Sequence, residues 1–402
     1  MSIYIYDAVR TPRGKGRRGG SLADVTPAQL VGQLIAALER RNGAHVMNAL
    51  GQFTLGCVTQ VAVQGGHVAL AARIQAGLAA TLPCLTINNF CVSGLSAIAD
   101  AARRVASGQV DLALAGGVES MSQVAFLADA ADYYNDLPLA SSMGWSPVGV
   151  AADLLATREG IERPEMDAAV LRSHQRAAKA WRDGHYAGRV IPVMAADGTV
   201  ALDHDENVRD YGDGAALAKL GPVFTATGAE GFDDILRAHR PEIDPIKHLH
   251  TVAHCPPISD GAALVLVGNR EAGQRLGLTP LARIRSVAET ADDPVMQLTA
   301  GFSAMSQALE RAGVPLPDIG AIEFMEAFAA VPVLFERDFA PDMARVNPNG
   351  GHLAMGHPMG ATGAILTASL LDDMTQLDAD TGLVVATGGV GVGAAMVLER
   401  VS

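Results

Sequence analysis

The feature that most constrains the fold of this chain is a turn-helix-strand plan that occurs twice, once toward each end of the sequence. In each copy a glycine turn leads into a helical pattern, and an apolar strand that ends in a glycine pair follows. The matching segments are Gly94, Leu95–Ala106, Leu112–Ala115 and Gly116-Gly117 in the first copy, and Gly363, Ala364–Met374, Leu383–Ala386 and Gly388-Gly389 in the second. The turn glycine precedes the glycine pair by 22 positions in one copy and by 25 in the other. Although βα units are common, the shared order and spacing favour a duplication.

The region between the two copies, residues 120–252, is predicted to be an insertion in the first half. It contains two helical stretches and a polar, glycine-rich segment typical of extended loop, and apolar strands resume after it. These segments are, in order, Pro147–Glu159, Arg163–Arg182, 203–228, Ala263–Val267 and Leu281–Val287. Because continuous apolar strands alternate with helices, the sequence predicts an α/β protein with sheets covered on both faces.

Length, charge and cysteine content exclude several classes of protein. The 402 residues, 49% of them apolar, can bury a large core and predict two or three domains. The net charge of −13 argues against nucleic acid or an anionic membrane as a general partner. The four cysteines lack the paired spacing of a zinc site or a disulfide framework, and no apolar stretch reaches the roughly 18 residues of a membrane span. The chain opens as a strand, Ile3–Tyr6, without a signal segment, so we expect a cytoplasmic protein.

Cys91 is a candidate nucleophile because of its position between an extended stretch and a helix. The stretch Leu82–Ile87 precedes it, and the turn around it carries Asn88-Asn89 and Ser93-Gly94. Unpaired N–H groups and the positive dipole end of the helix are expected to favour the thiolate. The alternative is a buried core cysteine, the usual state of a cytosolic cysteine, but the polar turn argues against it.

His357 lies in a second glycine-lined turn, Gly350–Pro358. A position near a helix N-terminus disfavours imidazolium, so the ring is expected to be neutral and able to accept a proton near pH 7. The alternative is a structural histidine that bonds to its own loop. A cysteine nucleophile with a distant histidine suggests covalent acyl transfer.

The glycine run Thr387–Gly393 is not a dinucleotide-binding loop. That fingerprint needs a helix after the glycines and an acidic residue about 20 positions on, whereas a short apolar strand, Ala395–Leu398, follows here and the sequence ends at Ser402. The better interpretation is a backbone turn whose N–H groups can face an oxyanion.

Two further clusters of residues suggest a binding site but have simpler interpretations. One edge of a metal site is suggested by the side chains of His248, His250, His254 and Cys255. No acidic residue lies close to them in sequence, so no metal is expected. The basic run Arg10–Arg18 lacks the spacing of a phosphate-binding loop and is predicted to lie in a solvated loop.

Taken together, the motifs of this chain resemble those of the thiolase family, enzymes that make or cleave 3-ketoacyl-CoA. The motifs that carry the resemblance are Asp7–Pro12, Asn88–Gly94, Gly116–Ser122, Ser259–Ala263, Glu326–Phe328 and Gly356–Gly363. The resemblance implies a fold of two duplicated βαβαβαββ halves, stacked as five αβαβα layers, with an inserted loop domain. The implied domains are residues 1–119 with 253–274, residues 120–252, and residues 275–402. It also implies coenzyme A as a substrate, no bound cofactor, and a homodimer or homotetramer.

The resemblance also implies roles for individual residues. Cys91 would carry the acyl group, His357 would take its proton, and the N–H groups of Cys91 and Gly389 would form an oxyanion hole. Met143 and Phe328 would contact the substrate. Arg209 and Lys219, both in the insertion, are unranked candidates for contacts to the phosphates of coenzyme A.

Four positions depart from the family's pattern. Thr387 stands where a second, acid/base cysteine is expected, and a threonine hydroxyl ionises too weakly to deprotonate a carbon at pH 7. Met325 replaces an asparagine or histidine that helps to bind the thioester oxygen, and it cannot donate a hydrogen bond. Pro256 and Ser142 replace a serine near the coenzyme A tail and a histidine before Met143-Gly144.

The acylation half of the mechanism is therefore expected to be present and the carbon–carbon half incomplete. His352 could replace the missing base, or the substrate could supply an acidic carbon of its own. A thioester hydrolase or acyltransferase without carbon–carbon chemistry, a non-catalytic acyl-CoA-binding scaffold, and a metal protein remain as alternatives.

Overall fold

The computed structural model describes residues 2–401, in which strands and helices alternate over most of the chain. Up to residue 120 the elements are β1 (Ile3–Arg10), β2 (Gly14–Lys15), α1 (Pro27–Asn42), α2 (Ala44–Asn48), β3 (Gln52–Gly56), α3 (Val68–Gln75), β4 (Cys84–Ile87), α4 (Ser93–Ala106) and β5 (Leu112–Ser120). Residues 121–258 add α5 (Leu137–Met143), α6 (Val148–Glu159), α7 (Arg163–Arg182), β6 (Val193–Met194), β7 (Val200–Leu202), α8 (Thr225–Thr227) and α9 (Asp233–His239). From residue 259 the chain forms β8 (Ser259–Asn269), α10 (Arg270–Leu276), β9 (Ala282–Ala291), α11 (Ala300–Ala312), β10 (Ala321–Phe324), α12 (Ala330–Phe339), α13 (His352–Met355), α14 (Thr362–Gln376), β11 (Thr381–Gly388) and β12 (Val392–Arg400).

The first half of the chain and β8 form a mixed sheet with the strand order β4-β3-β5-β8-β1. In this sheet β3 runs parallel to β4 and β5, whereas β8 is antiparallel to both of its neighbours. Every residue of β5 and β8 is buried. The continuous apolar runs seen in the sequence therefore belong to central strands that are covered on both faces.

The second half repeats the same order and the same strand directions as β10-β11-β12-β9. Here β10 is parallel to β11, and β12 is antiparallel to both neighbours. The position that corresponds to β4 is taken by Val346, which forms a single parallel bridge with Ile322 of β10. The duplication predicted from the sequence is confirmed.

The helices α4 and α14 pack against each other between the two sheets. Both helices contact strands of each sheet, while α1 and α3 cover the outer face of the first sheet and α11 that of the second. The predicted arrangement of five layers is therefore confirmed. One feature was not predicted, namely that β1 pairs antiparallel with β9 over three residue pairs and joins the two sheets at an edge.

Two glycines allow the starts of the central helices to approach closely. A Cβ atom at Gly94 would lie 2.8 Å from the carbonyl oxygen of Gly360, and one at Gly363 would lie 2.3 Å from the backbone nitrogen of Leu95. Real Cβ atoms do not come so close to backbone atoms, so only glycine fits at these positions. The close approach brings the turn of Cys91 next to the turn of His357.

The residues between β5 and β8 form helices that pack beside the two sheets. The predicted helical stretches are confirmed as α6 and α7, which contact α12 in the second half. The boundaries at residues 120 and 252 stay a prediction. Within residues 2–401, no helix is both long and apolar enough to cross a membrane.

The basic run Arg10–Arg18 is only in part the solvated loop that the sequence predicted, because residues 10–14 are buried whereas Arg17 and Arg18 are exposed. Arg10 and Arg13 are each only 1% exposed. Arg10 makes two hydrogen bonds of 2.9 Å to the carboxylate of Asp205, and Nη1 of Arg13 donates to the carbonyl oxygen of Gly356 at 3.0 Å. For this first part of the run the prediction failed because the acidic partner, Asp205, comes from a distant segment, and pairing allows an arginine to be buried.

Candidate active site

A cavity of about 250 Å³ lies where the starts of α4 and α14 meet the turn after β11. Cys91, His357 and Gly389, which the sequence analysis singled out, all line it. Most of the remaining wall consists of apolar, aromatic or sulfur-containing side chains, among them Met121, Phe126, Phe224, Cys255, Leu298, Met325, Phe328 and Met359. The fold thus brings together three residues from distant parts of the sequence in a largely apolar cavity.

Cys91 lies in a tight turn between β4 and α4, as predicted. Phe90, immediately before it, has a φ of 47°, a left-handed conformation that is uncommon for a bulky residue. The hydroxyl of Ser93 fixes the turn, because it accepts a hydrogen bond from the N–H of Asn89 at 2.8 Å and donates one to the carbonyl of Phe90 at 2.6 Å. The thiol is therefore held in position by the backbone of the turn.

The expectation that the helix end favours a resting thiolate is wrong. Part of Cys91 faces the cavity, but protein encloses the thiol, and burial raises its pKa from 9.0 to about 12. The backbone N–H groups of Gly389 and of Cys91 itself act in the opposite direction, and the charge of Glu119 adds to the rise. The loss of hydration raises the pKa of the thiol by more than the N–H groups at the helix end lower it. Cys91 is therefore a neutral thiol at pH 7.

His357 is neutral at pH 7, as the sequence predicted. Its pKa is lowered from 6.5 to about 3, first by burial and then by the charge of Arg13. Its Nδ1 lies 2.7 Å from Oγ1 of Thr362, the first residue of α14. Its Nε2 is buried without a hydrogen-bond partner within residues 2–401, so one ring nitrogen is free to interact with a bound substrate or with the thiol.

The turn after β11 lies against Cys91, and the backbone N–H of Gly389 lowers the pKa of its thiol in opposition to burial. Gln297 holds this turn, because its Oε1 accepts a hydrogen bond from the N–H of Val390 at 3.1 Å. The amide of the same side chain donates to the carbonyl of Ser146 at 2.8 Å. Two fixed N–H groups near one thiol suit a developing oxyanion.

Glu119 connects the two halves of the site and does not itself line the cavity. Its buried carboxylate accepts hydrogen bonds of 3.0 and 3.1 Å from the N–H groups of Val58 and Thr59, and one of 3.0 Å from the N–H of Gly360. Burial raises the pKa of Glu119, and these N–H groups oppose the rise. The carboxyl therefore ties the turn of His357 to the end of β3.

Three of the four departures from the family's pattern border the cavity. Thr387, Met325 and Pro256 all line it, and Oγ1 of Thr387 is buried without a hydrogen-bond partner in the part of the chain that the structure describes. Ser142 belongs to α5 and is not among the lining residues. At these three places the cavity wall consequently offers a hydroxyl, a thioether and a proline ring in place of the family's thiol, hydrogen-bond donor and serine.

The two predicted substrate contacts differ in position. Phe328 lines the cavity and is 8% exposed, whereas Met143 ends α5 at the surface, is 41% exposed and does not line the cavity. A role for Met143 in contacting the reacting groups therefore has no support from its position. Arg209 and Lys219 do not line the cavity either.

Cys255 and Arg13 belong to the site but were not recognised in the sequence as site residues. Cys255 lines the same cavity as Cys91, and burial raises the pKa of its thiol to about 12. Its position next to three histidines suggested a metal cluster instead. The charge of the buried Arg13 lowers the pKa of His357. No local pattern in the sequence marks Arg13 as buried.

His352 is not placed to act as a substitute base. It is fully buried, does not line the cavity, and packs edge-on against His357 with ring centres 5.7 Å apart. Neither ring nitrogen has a hydrogen-bond partner among the described residues. Burial, followed by the charges of Arg13 and His357, lowers its pKa well below the usual value.

The histidines near Cys255 pair with carboxylates from the inserted helices. His248 and His250 both contact Asp153, at 2.9 and 2.7 Å, and His254 contacts Asp167 at 2.7 Å. Among residues 2–401, no group of three or more His, Cys, Asp or Glu side chains is arranged to hold a metal ion. The cluster fixes the loop before β8 to α6 and α7.

Comparison with known proteins agrees with this architecture. Residues 3–230 match the family model for the N-terminal domain of thiolase, and residues 278–400 match the model for its C-terminal domain. The chain is 34% identical to a 3-ketoacyl-CoA thiolase of Photorhabdus laumondii, over 99% of each chain, and 34% identical to one of Bacillus subtilis, over 98% of each. It is 35% identical to a beta-ketoadipyl-CoA thiolase of Pseudomonas putida, over 99% of each chain.

Proposed function

Because this chain belongs to the thiolase family of acyltransferases, we propose that it transfers acyl groups between thioesters of coenzyme A through an adduct on Cys91. The observation that carries the proposal is the meeting of Cys91, His357 and the N–H of Gly389 at one cavity. A scaffold that only binds acyl-CoA needs neither the thiol nor the histidine. The substrates would be 3-ketoacyl-CoA compounds or related thioesters.

In the first half-reaction, Sγ of Cys91 attacks the carbonyl carbon of the thioester while its proton passes to Nε2 of His357. In the tautomer with a proton on Nδ1, Nδ1–H donates to Oγ1 of Thr362, 2.7 Å away, and leaves the Nε2 lone pair free. The carbonyl oxygen becomes negative and is stabilised by the N–H groups of Cys91 and Gly389. Donors of this kind lower a barrier by about 3 kcal/mol each.

The adduct forms when the bond between the carbonyl carbon and the leaving thiol breaks. The departing thiolate takes the proton from His357, which restores the neutral ring and leaves the acyl group on Cys91 as a thioester. In the second half-reaction another thiol gives its proton to His357 and attacks the adduct. The bond between the acyl carbon and Sγ of Cys91 then breaks, and the Cys91 thiolate takes the proton back from His357. No other acid or base is needed for transfer between two thiols.

Carbon–carbon bond formation makes a further demand, because a proton must leave the α-carbon of the second substrate. Thr387 and Met325 line the cavity at two of the positions that depart from the family's pattern, and burial raises the pKa of the other thiol in the wall, Cys255, to about 12. A threonine hydroxyl is a very weak acid, and a thioether can neither take nor donate a proton near neutral pH. We therefore propose that acylation of Cys91 is fast and that condensation of acetyl-CoA is slow.

The second candidate function follows from Thr387 in the wall of the cavity. A transferase or hydrolase that never makes a carbon–carbon bond would keep Cys91 and His357 and would tolerate Thr387. The apolar surroundings of His357 favour transfer to a thiol over hydrolysis, since they leave little to orient a water molecule. Transfer between thiols is therefore the favoured form of this candidate.

We further propose that the protein is a homodimer or homotetramer. The strand β4 supports this, because it forms the free edge of the first sheet and all four of its residues are only half-buried. Free strand edges are sites at which another chain can pair.

The deciding experiment is intact-mass spectrometry after incubation with acetyl-CoA and, separately, with acetoacetyl-CoA. We expect a gain of one acyl group in the wild type and in Cys255→Ala, and no gain in Cys91→Ala. The matched control is Cys255→Ala, because it removes the other thiol of the cavity. An adduct that persists in Cys91→Ala, or no adduct with either substrate, would overturn the proposed role of Cys91.

The carbon–carbon step is tested by measuring acetoacetyl-CoA formation. We expect the wild type to condense acetyl-CoA well below the ~1 s⁻¹ typical of enzymes, and Thr387→Cys to raise the rate at least about tenfold by supplying a thiol acid/base. Thr387→Ser is the control and should leave the rate unchanged. A wild-type rate of ~1 s⁻¹ or more would show that this part of the proposal is wrong.

A further inference from the structure

A second, smaller cavity also reaches Cys91. It measures about 60 Å³ and shares six lining residues with the larger cavity, namely Cys91, Phe126, Pro147, Val148, Met359 and Gly389. Nine residues line only the smaller cavity, which we call the aromatic cavity: Val58, Thr59, Phe90, Leu127, Asp129, Tyr134, Trp145, Gln297 and Val390. The thiol therefore stands between two spaces with different walls.

We propose that the aromatic cavity holds the tail of the acyl group on Cys91 and selects short, uncharged, apolar acyl groups. This inference rests on the proposed function, because it assigns a place to the acyl group of that same adduct.

The acyl tail is assigned to the aromatic cavity because the two cavities have different lining residues. The leaving thiol and the incoming acceptor must both exchange a proton with His357, and His357 lines only the larger cavity. Both partners therefore need the larger cavity during their half-reactions. The acyl tail stays on the sulfur throughout, so it needs a space that touches Cys91 and Gly389 but not His357. The aromatic cavity is that space.

The size of the aromatic cavity limits the length of the tail. A buried water molecule needs about 10–15 Å³ on the same measure of volume. The 60 Å³ of the aromatic cavity therefore correspond to about four to six non-hydrogen atoms. Tails of this length beyond the carbonyl carbon fit, and a nine-carbon tail does not unless the wall opens.

The charge of the lining excludes acyl groups that end in a carboxylate. The residues that line the two cavities, within the described part of the chain, include no lysine or arginine. The charged side chain of the aromatic cavity is Asp129, whose Oδ2 accepts a hydrogen bond from the hydroxyl of Tyr134 at 3.2 Å. A second carboxylate here would be repelled and would find no cation.

One wall residue can be removed without disturbing the centre of the protein. Tyr134 is half-buried in a short turn, and its ring packs against Trp145 at 5.3 Å. Its neighbour Tyr133 packs against the same tryptophan at 5.4 Å but does not line the aromatic cavity. The substitutions Tyr134→Ala and Tyr133→Ala therefore form a matched pair.

The experiment measures the rate of acylation of Cys91 by intact mass with a series of saturated acyl-CoA probes. These are acetyl, butyryl, hexanoyl, decanoyl, 4-methylpentanoyl and succinyl. We expect the rate to rise by about fourfold for each added methylene that is buried, to peak near butyryl to hexanoyl, and to fall at least tenfold at decanoyl. Because succinyl and 4-methylpentanoyl have tails of the same size and shape, succinyl should react at least tenfold more slowly on account of its charge.

The variants test whether the aromatic cavity causes this selection. Tyr134→Ala should raise the ratio of decanoyl to butyryl rates at least fivefold, and Tyr133→Ala should change it by less than twofold. Equal rates for succinyl and 4-methylpentanoyl, a rate that does not fall at decanoyl, or equal effects of both variants would each overturn the inference while the adduct on Cys91 stands. Failure of every probe to acylate Cys91 would overturn the proposed function and, with it, this inference.

Discussion

At the scale of single residues, the site combines a thiol and an imidazole that are both neutral at pH 7. Burial raises the pKa of Cys91 to about 12 and lowers that of His357 to about 3. Proton transfer must therefore accompany attack by sulfur, because a resting thiolate–imidazolium pair is disfavoured in both partners. This differs from nucleophilic cysteines whose pKa is depressed by a neighbouring imidazolium.

This arrangement predicts an unusual pH dependence. Between pH 5 and 9 neither group changes its charge in the free enzyme, so kcat/KM for acylation should be flat over this range. Alkylation by iodoacetamide needs the thiolate, so its rate at Cys91 should be slow and should rise tenfold per pH unit across the same range. The alkylation of Cys91→Ala measures the background reaction at the other cysteines. A bell-shaped kcat/KM profile with limbs between pH 5 and 9 would contradict the prediction.

His352 provides a second prediction at this scale. Its two ring nitrogens are buried without partners in the described chain, and its pKa is lowered. In the unfolded chain the ring binds a proton below about pH 6.5, whereas in the folded protein it does not, so its unfavourable effect on stability grows as the pH falls. His352→Leu should therefore raise the free energy of unfolding by about 1–3 kcal/mol at pH 8, and by more at pH 5.

Urea unfolding at both pH values measures this effect. The control is His204→Leu, because His204 is exposed and hydrogen-bonds Asp203 at the surface. A loss of stability in His352→Leu, or the same gain at both pH values, would show that the ring makes a favourable contact that outweighs its unpaired nitrogens.

The sequence predicted the position of Cys91 but not its protonation state. The polar turn and the coming helix are local features, and both are present. The protonation state depends on burial by residues from other parts of the chain, such as Met325 and Phe328. For the same reason Cys255 was not recognised as part of the cavity, because only the folded chain brings it beside Cys91.

At the scale of elements, the central helices depend on close contact between backbones. The Cβ atom of an alanine at position 363 would come within 2.3 Å of the backbone nitrogen of Leu95. Gly363→Ala should therefore push α4 and α14 apart, lower the free energy of unfolding by about 1–3 kcal/mol or more, and slow acylation of Cys91 by moving it away from His357.

Gly32→Ala is the matched control for this prediction. Gly32 lies within α1, and a Cβ atom there would have no neighbour within 4 Å. The same substitution should stabilise the protein by about 0.5–1 kcal/mol, because alanine is the better helix former. Urea unfolding and intact-mass acylation measure both variants. Equal effects in the two variants would mean that the contact between the central helices tolerates a methyl group.

Periodicity in the sequence predicted the bounds of helices and strands more reliably than it predicted which residues are buried. The helix Arg163–Arg182 was predicted to the residue, because a long amphipathic pattern is a local property. The burial of Arg10 at the start of the basic run was not predicted, because a local pattern cannot show that Asp205 pairs with Arg10. Pairing between distant segments is the information that a single sequence does not display.

At the scale of the whole molecule, the repeat in the sequence predicted a duplication, and the resemblance to the thiolase family implied the stacking of the two halves in five layers. Two copies of one βα plan imply two similar sheets, and the pseudo-symmetry places Cys91 and His357 at equivalent turns. The joining of the sheets through β1 and β9 could not be predicted, because strand pairing at an edge leaves no mark in the hydrophobic pattern of either strand.

The free edge of the first sheet gives the last prediction, which concerns assembly. The N–H of Phe53 bonds to the carbonyl of Pro83, and that of Cys57 bonds to the carbonyl of Ile87. Backbone groups alternate in direction along a strand, so Leu85 and Ile87 turn theirs toward β3 and Thr86 turns its N–H outward. A second copy related by a twofold axis can pair there and continue the sheet.

Thr86→Pro removes this outward N–H and should weaken self-association at least tenfold. Thr86→Val is the control, because it keeps the N–H but loses the hydroxyl that accepts from the N–H of Ala69 at 3.3 Å. Sedimentation equilibrium of the wild type and both variants measures association, and urea unfolding checks that each variant is folded. A monomeric wild type at micromolar concentration, or equal association of all three proteins, would contradict assembly through β4. A selective loss in Thr86→Pro would place the twofold axis beside the turn of Cys91, since β4 leads directly into that turn.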